Sequence, residues 1–316
     1  MTKVVDEGGC AGPAATGSAA PMPEGDTSRG FATAIGAYAL WGVVLPFFMK
    51  ALSHVSPVEI VAHRVVWAVP CGAFILWWLG RTSDLKAALK SPRMLAMAGV
   101  TASVITVNWG VYVYAIANNQ ALEASLGYYI NPLISVVLGI VFLGEVPKGA
   151  QWVALGLATV AVAILTVYAG GLPWISLLLA FSFGTYGYLR KTLPIGPSQG
   201  FLLEVIILSP IALVILAWFM ANGESHFLAG STFDTAMLIA AGPMTAAPLI
   251  LYAFAAKGLR LSTIGVLQYS VPTFIFLIAV FAFDEPFALP QLAAFSLIWL
   301  ALLIYTWTLF AERRRG

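Results

Sequence analysis

The chain has 316 residues, of which 60% are hydrophobic and only 9% charged, with a net charge of +2 and a mean hydropathy of +0.90. Soluble domains carry about 25% charged residues, so a soluble globular fold is excluded. The near-zero net charge says little about partners, and no nucleic-acid partner is expected. Apolar runs of about 20 residues, each long enough to cross about 30 Å of hydrocarbon, recur along nearly the whole length. Helices are the form in which a spanning segment satisfies its own backbone polar groups, and a transmembrane barrel would show short alternating segments instead. The expected fold is an all-α polytopic membrane protein in the lipid bilayer.

Residues 1–28 are rich in Gly, Ala, Pro and Ser and predict a disordered tail. The stretch GGCAG around Cys10 resembles a lipoprotein cleavage site but lacks the apolar segment before it, since Asp6 and Glu7 stand there. Cys71 lies in an apolar segment far from Cys10, so no disulfide is expected. Ten spans follow, at about 30–49, 57–79, 94–116, 121–143, 150–168, 173–189, 198–219, 234–255, 262–283 and 288–309, with Pro, Gly, Asn or charge in the turns.

With the N-terminus in the cytoplasm, fourteen of the sixteen Lys and Arg fall in inside segments, Lys50 alone lies outside, and Arg64 lies within a span. This is the positive-inside pattern, and it puts both termini in the cytoplasm. Trp78, Trp152, Trp174, Trp218 and Trp307 fall near predicted interfaces, whereas Trp41, Trp67, Trp109 and Trp299 do not.

A shift of 140 residues places Pro57 on Pro197, Pro70 on Pro210, Tyr112 on Tyr252, Tyr129 on Tyr269, Pro132 on Pro272, Glu145 on Glu285 and Gln151 on Gln291. Each half then holds five spans, and because five is odd the second half enters the membrane from the opposite side. Such inverted repeats are the architecture from which many secondary transporters build a site near the midplane. The expected divisions are a cytoplasmic tail at 1–28, a first repeat at 29–169, a second at 170–310 and a basic cytoplasmic C-terminus at 311–316.

The segments HRVVW (His63 to Trp67), LEASLGYYINPLISVVLGIVFLGE (Leu122 to Glu145), LAFSFGTYGYLRK (Leu179 to Lys191) and LRLSTIGVLQYSVPT (Leu259 to Thr273) resemble the drug/metabolite transporter superfamily. Within it they are similar to the RarD-type branch of EamA-domain proteins, the chloramphenicol-sensitivity proteins. The resemblance covers about residues 30–310 and implies two five-helix EamA-type units, an inner-membrane location and transport of small organic molecules. Two departures are Asp284, where the family has glycine before Glu285, and the long N-terminal tail.

Several residues carry candidate chemistry. Arg64 sits mid-span, where an arginine costs about 2.5–3.5 kcal/mol unless it faces the bundle or water. The 140-residue shift takes it to Glu204, so the two form a candidate ion pair across the pseudo-two-fold axis; a structural clamp, or two separately solvated charges, are the alternatives. Glu59 and His63 share a helix face at i,i+4 and are candidates for accepting a coupling proton, or a hydrogen-bonded pair near the outer mouth. Glu123 opens the fourth span, as a helix-terminus cap or as part of a cation-attracting vestibule and proton route.

Polar and aromatic stripes within spans suit a cavity for an amphipathic solute, although such residues also join helices. They comprise Asn108, Trp109 and Tyr112 in the third span; Ser125, Tyr128, Asn131 and Ser135 in the fourth; Ser182, Thr185 and Tyr186 in the sixth; Tyr252 in the eighth; and Gln268 and Tyr269 in the ninth. Trp41 in the first span is a candidate for stacking on cargo, and Pro132 and Pro272 form a candidate hinge pair. The sequence has no GxxxxGK[ST] loop, HExxH or cysteine–histidine cluster, so no built-in ATPase, metal or cofactor is expected. The reading is a secondary transporter of a small organic solute (a metabolite, amino acid or drug-like compound) working by alternating access, with a membrane-embedded enzyme or a non-transporting sensor as the rivals.

Overall fold

Ten helices, and no strand, make up the described part of the chain in a computed structural model, which covers residues 26–80, 85, 89–118, 120–172, 174–194, 196–229, 231–282 and 288–313. They are α1 (Ser28–Ala51), α2 (Pro57–Trp78), α3 (Pro92–Ala117), α4 (Ala121–Leu143), α5 (Ala150–Tyr168), α6 (Trp174–Thr192), α7 (Pro197–Ala221), α8 (Thr232–Gly258), α9 (Leu261–Ala282) and α10 (Leu289–Arg313). Nine of these are long and apolar enough to cross a membrane. The exception is α6, which carries Ser176, Ser182, Thr185 and the Arg190–Lys191 pair. The helices match the ten expected spans to within a few residues.

The starts follow from local chemistry. Pro57, Pro92 and Pro197 occupy the first turns of α2, α3 and α7, where a missing N–H costs nothing. Thr27, Ser91 and Ser231 accept the free backbone N–H groups of Gly30, Met94 and Asp234 at the starts of α1, α3 and α8. At the end of α4, Gly144 adopts φ +64, the left-handed conformation glycine reaches without a Cβ clash. The turn aims Glu145 at the start of α9, where its carboxylate accepts the N–H groups of Leu261 (2.7 Å) and Ser262 (2.8 Å). Asp26 adds to the same end, accepting from the Arg260 N–H and the Thr263 hydroxyl. Asp26 and Thr27, expected within the disordered tail, are therefore held in place by capping.

The 140-residue repeat is visible in the helix starts: Pro57 and Pro197, Pro92 and Thr232, Ala121 and Leu261. It reaches single hydrogen bonds. Gln151 Oε1 accepts the Lys148 N–H at 3.1 Å, and Gln291 Oε1 accepts the Ala288 N–H at 2.8 Å, one cap in each half at matched positions. Glu285, the match of Glu145, and Asp284 lie outside the described residues.

The halves interleave. The pairs α2–α7, α4–α9 and α5–α10, each of two repeat-equivalent helices, pack together, while α1 packs on α8, α2 on α8, and α3 on α6 and α7. This is the reciprocal pattern an inverted repeat produces. Starts and ends alternate between two faces. One face gathers the starts of α1, α7 and α9 with the ends of α4, α6 and α8; it is called the N-face here, and the opposite one the far face. Trp78, Trp152, Trp174, Trp218 and Trp307 all lie more than half exposed near helix ends, the interfacial position expected of them.

The closest approach of α4 and α9 depends on Gly265. A Cβ there would lie 2.6 Å from the Pro132 carbonyl oxygen and 3.1 Å from the Ser135 Cβ. Gly265→Ala is expected to cost about 1–3 kcal/mol by overpacking, read as a lower melting temperature in detergent. Gly156→Ala, where a Cβ meets nothing within 4 Å, should be neutral or slightly stabilising; equal behaviour of the two would refute the close α4–α9 contact.

Candidate functional site: a cavity between the halves

A cavity of about 280 Å³ lies between the two halves, room for one small molecule. The first half contributes Trp41, Leu45, Pro46 and Met49 from α1, Arg64 from α2, Asn108, Trp109 and Tyr112 from α3, and Tyr128 from α4. The second contributes Phe183 from α6, Leu249 from α8, and Gln268, Val271 and Ile275 from α9. Arg64 lies near the start of α2, Tyr128 near the start of α4, and Met49 near the end of α1, so the cavity is displaced toward the far face.

Broken helix geometry shapes its walls. α1 is α-helical over Ser28–Ala39, forms a π turn over Leu40–Val44, and resumes over Leu45–Ala51. Trp41 projects from that π turn, a distortion often found at functional sites. α9 is interrupted between Gln268 and Ser270. Pro272 lacks the N–H that would bond the Gln268 carbonyl, and Pro132 lacks the one that would bond the Tyr128 carbonyl. The two matched prolines thus free carbonyls at two matched, cavity-lining residues.

Arg64 is the sole charged side chain on the described walls. Its Nε donates to Thr245 Oγ1 at 2.9 Å, and its guanidinium carbon stands 5.3 Å from the Trp109 ring centroid, a cation–π arrangement. Around it the walls are aromatic. Trp41 packs at 5.8 Å on Phe183, and Tyr112 and Tyr128 meet edge to face at 6.4 Å. Asn108 is spent on structure, its Nδ2 donating to the Leu179 carbonyl and to Ser182 Oγ on α6.

On the N-face side several bonds tie helices together. Tyr38 donates to the Ile264 carbonyl at 3.0 Å. Lys191 Nζ donates to the Leu259 carbonyl, Lys257 Nζ to the Lys191 carbonyl, and Arg260 pairs with Asp26 at 3.2 Å. The lysines thereby cap helix C-termini. The far face has its own ties: Glu59 accepts from the His226 N–H at 2.8 Å and from the Ser225 hydroxyl and faces His226 Nδ1 at 2.9 Å, while His54 meets Asp234 at 3.1 Å.

The sequence profile of the EamA-like transporter family matches residues 28–167. The protein named "Protein RarD" from Streptomyces exfoliatus is 42% identical over 293 residues, covering 93% of each chain. The "Uncharacterized transporter PA0485" of Pseudomonas aeruginosa is 38% identical over 294 residues, covering 93% of this chain and 98% of that one. The chain is a RarD-type member of the EamA-like transporter family. A crystallographically solved chain of 18% identity matches the fold with a TM-score of 0.69, covering 92% of this chain and 99% of that one. The protein is accordingly a multi-pass membrane transporter.

In this EamA-family bundle the candidate residues separate into groups. Trp41, Arg64, Asn108, Trp109, Tyr112, Tyr128 and Gln268 converge on the cavity. Asn131 does not line it: it is buried in α4, with neither amide atom hydrogen-bonded to a described residue. Ser125 is half-buried away from it. Tyr186 and Tyr252 stack at 6.4 Å in the buried core, and Tyr269 is buried off the cavity. Glu59 and His63 share a face, as their spacing requires, at 4.0 Å, but Glu59 is engaged by the 225–226 loop and His63 Nδ1 accepts the Trp67 indole N–H at 3.2 Å. Glu123 accepts from the Gln120 side chain at the start of α4.

The pairing of Arg64 with Glu204 is not formed. Glu204 meets Arg190 at 3.3 Å and accepts from the Tyr186 hydroxyl at 3.1 Å, and Arg190 also donates to the Pro197 carbonyl. The reason is register. α2 and α7 cross antiparallel with Gly72 against Leu202, which brings Arg64 level with Pro210, about six residues and ~9 Å along the axis from Glu204. Symmetry-related positions meet only at the axis, and Arg64 lies off it on the far-face side.

Sequence reasoning missed Arg190, which reads as an inside-segment charge; its i,i+4 spacing from Tyr186 was the available signal. It also missed Thr245, Phe183, Met49, Leu249, Val271 and Ile275, whose residue types are common on lipid-facing surfaces too. A double-mutant cycle separates the two pairings. Arg190→Met and Glu204→Gln are each expected to destabilise by about 3–5 kcal/mol, because each strands a buried charge, with the double variant recovering part of the loss. Arg64→Gln and Glu204→Gln should add within about 0.5 kcal/mol; a large coupling between those two would contradict the observed partners.

Proposed function

We propose that this transporter moves a small organic solute across the cytoplasmic membrane as a secondary transporter, by alternating access between its two inverted halves. The observation that carries the reading is the cavity itself: an aromatic-walled chamber, lined by both halves and biased to the far face, with the Tyr38, Lys191 and Glu204 contacts tying helices on its N-face side. A chamber displaced toward one face fits one half of an alternating-access cycle, and the N-face ties are what the opposite state would have to break.

Both termini are proposed to be cytoplasmic, with the N-face inside, on the strength of the Lys and Arg distribution. Pro132 and Pro272 are the proposed hinge points, since the carbonyls they free leave α4 and α9 fewer bonds to break on bending. The Glu59–His63–His226 group is the proposed place for a coupling proton, as it ties the start of α2 to the loop after α7. Non-enzymatic action is inferred from the family.

Two measurements test this. In proteoliposomes loaded with amino acids, metabolites and phenicol drugs in turn, counterflow should be saturable for at least one compound. Met49→Trp, which fills the chamber, should abolish that flux while the variant still purifies as a folded species; flux indifferent to the filled cavity would sink the proposal. In a background free of Cys10 and Cys71, Leu228→Cys should react with an impermeant thiol probe from outside cells, and Lys90→Cys only after lysis. Labelling of both from one side would overturn the orientation.

A further inference from the structure

We propose that the cargo is an organic carboxylate, its carboxylate held by the Arg64 guanidinium and its apolar body lodged among Trp41, Trp109 and Phe183. This deepens, and rests on, the reading of the cavity as the transport site.

The argument begins with charge. Seven described acids have side chains that can be followed, and none lines the cavity. Six are engaged elsewhere: Asp26 with Arg260, Glu59 with His226, Glu123 with Gln120, Glu145 with the start of α9, Glu204 with Arg190, and Asp234 with His54. Glu224 stands at the far-face rim beside His226. The cavity therefore presents one formal charge, positive, with no anion of the described chain to neutralise it.

The second element is geometry. A guanidinium has five N–H donors in a planar fork. Here one of them, on Nε, is spent on Thr245. No described residue accepts from the two terminal nitrogens. The Trp109 ring 5.3 Å from the guanidinium carbon and the Thr245 bond on Nε hold the group from two sides. A terminal edge held in this way matches the two oxygens of a carboxylate, the bidentate arrangement Arg makes most readily. Tyr112 and Tyr128, whose phenol hydroxyls can donate to an oxygen, line the same cavity as Arg64.

The third element is the remainder of the wall. Trp41, Phe183, Met49 and Leu249 supply apolar and aromatic surface, suited to a ring or branched chain. A wall without a carboxylate offers an ammonium no ion pair, so an anion with an apolar body is favoured over an amine of the same shape.

The test uses the full-length protein in detergent and isothermal titration with matched pairs: indole-3-acetate, phenylacetate, benzoate and 4-methylvalerate, each against its uncharged amide, with tryptamine as the cationic arm. At least one acid is expected to bind about tenfold or more tightly than its amide, as one charge-assisted contact allows, and tryptamine more weakly than indole-3-acetate. Arg64→Gln should bring that ratio to within about twofold, while Arg64→Lys retains a preference for the acid.

No acid-over-amide preference in any pair, or a preference that survives Arg64→Gln, would overturn the proposal. Should Arg64→Gln not purify folded, Thr245→Val removes the Nε anchor and is expected to weaken the acid severalfold without affecting the amide; equal weakening of both counts against the proposal. Counterflow is read separately. Carboxylate binding without flux would leave the anion site standing and remove the transporter reading, whereas flux confined to amides or amines would remove the anion site alone.

Discussion

Water is absent from the hydrocarbon layer, so a polar group there is costly unless it finds a partner in the protein. That requirement organises the structure. Glu145 is bonded to the start of α9, Glu204 to Arg190 and Tyr186, Lys191 to the end of α8 and Asn108 to α6, and these contacts tie helices from different parts of the chain. Arg64 is the contrasting case. It is held by one hydrogen bond and one aromatic face, and its uncommitted edge belongs to the chamber. Among the described residues lining the chamber it is the sole charge, which is why the proposed ligand anion is placed against it.

The inverted repeat explains how such a chamber arises from helices that each fill their own volume. Equivalent helices pair across the pseudo-two-fold, α2 with α7 and α4 with α9, and the chamber opens beside those pairs. Matched residues behave alike where the requirement is local. Gln151 and Gln291 make the same cap, and Tyr128 and Gln268 both line the cavity beneath carbonyls freed by Pro132 and Pro272. Matched residues diverge where the requirement is electrostatic, as with Arg64 toward the cavity and Glu204 toward Arg190. Symmetry of the backbone is compatible with asymmetry of charge, and the asymmetry gives the chamber its sign.

The same distortions that shape the walls also loosen them. The π turn at Leu40–Val44 and the interruption of α9 at Tyr269 flank the chamber, and each leaves backbone bonds unmade or displaced. In hydrocarbon an unmade backbone bond is tolerated where it is buried in protein or faces a cavity. Helix irregularity and cavity therefore occur together for a physical reason, and they coincide with the elements that would have to bend if access is to alternate.

The sequence by itself determined the solvent, the ten helices, the alternation of faces and the 140-residue repeat, because these depend on composition, length and local capping, which are properties of short segments. It also identified much of the chamber: Trp41, Arg64, Asn108, Trp109, Tyr112, Tyr128 and Gln268 are conspicuous as polar or aromatic residues within apolar spans. The tertiary structure decided the rest. Phe183, Met49, Leu249, Val271 and Ile275 could not be distinguished from lipid-facing residues, since a wall of a chamber and a surface in lipid call for the same side chains. The partners of Arg64 and Glu204 depended on how far along α2 and α7 the crossing falls, a matter of a few residues of register, with Gly72 meeting Leu202. Spacing along one helix fixes which residues share a face, but only the packing of helix on helix fixes which faces, and which depths, meet.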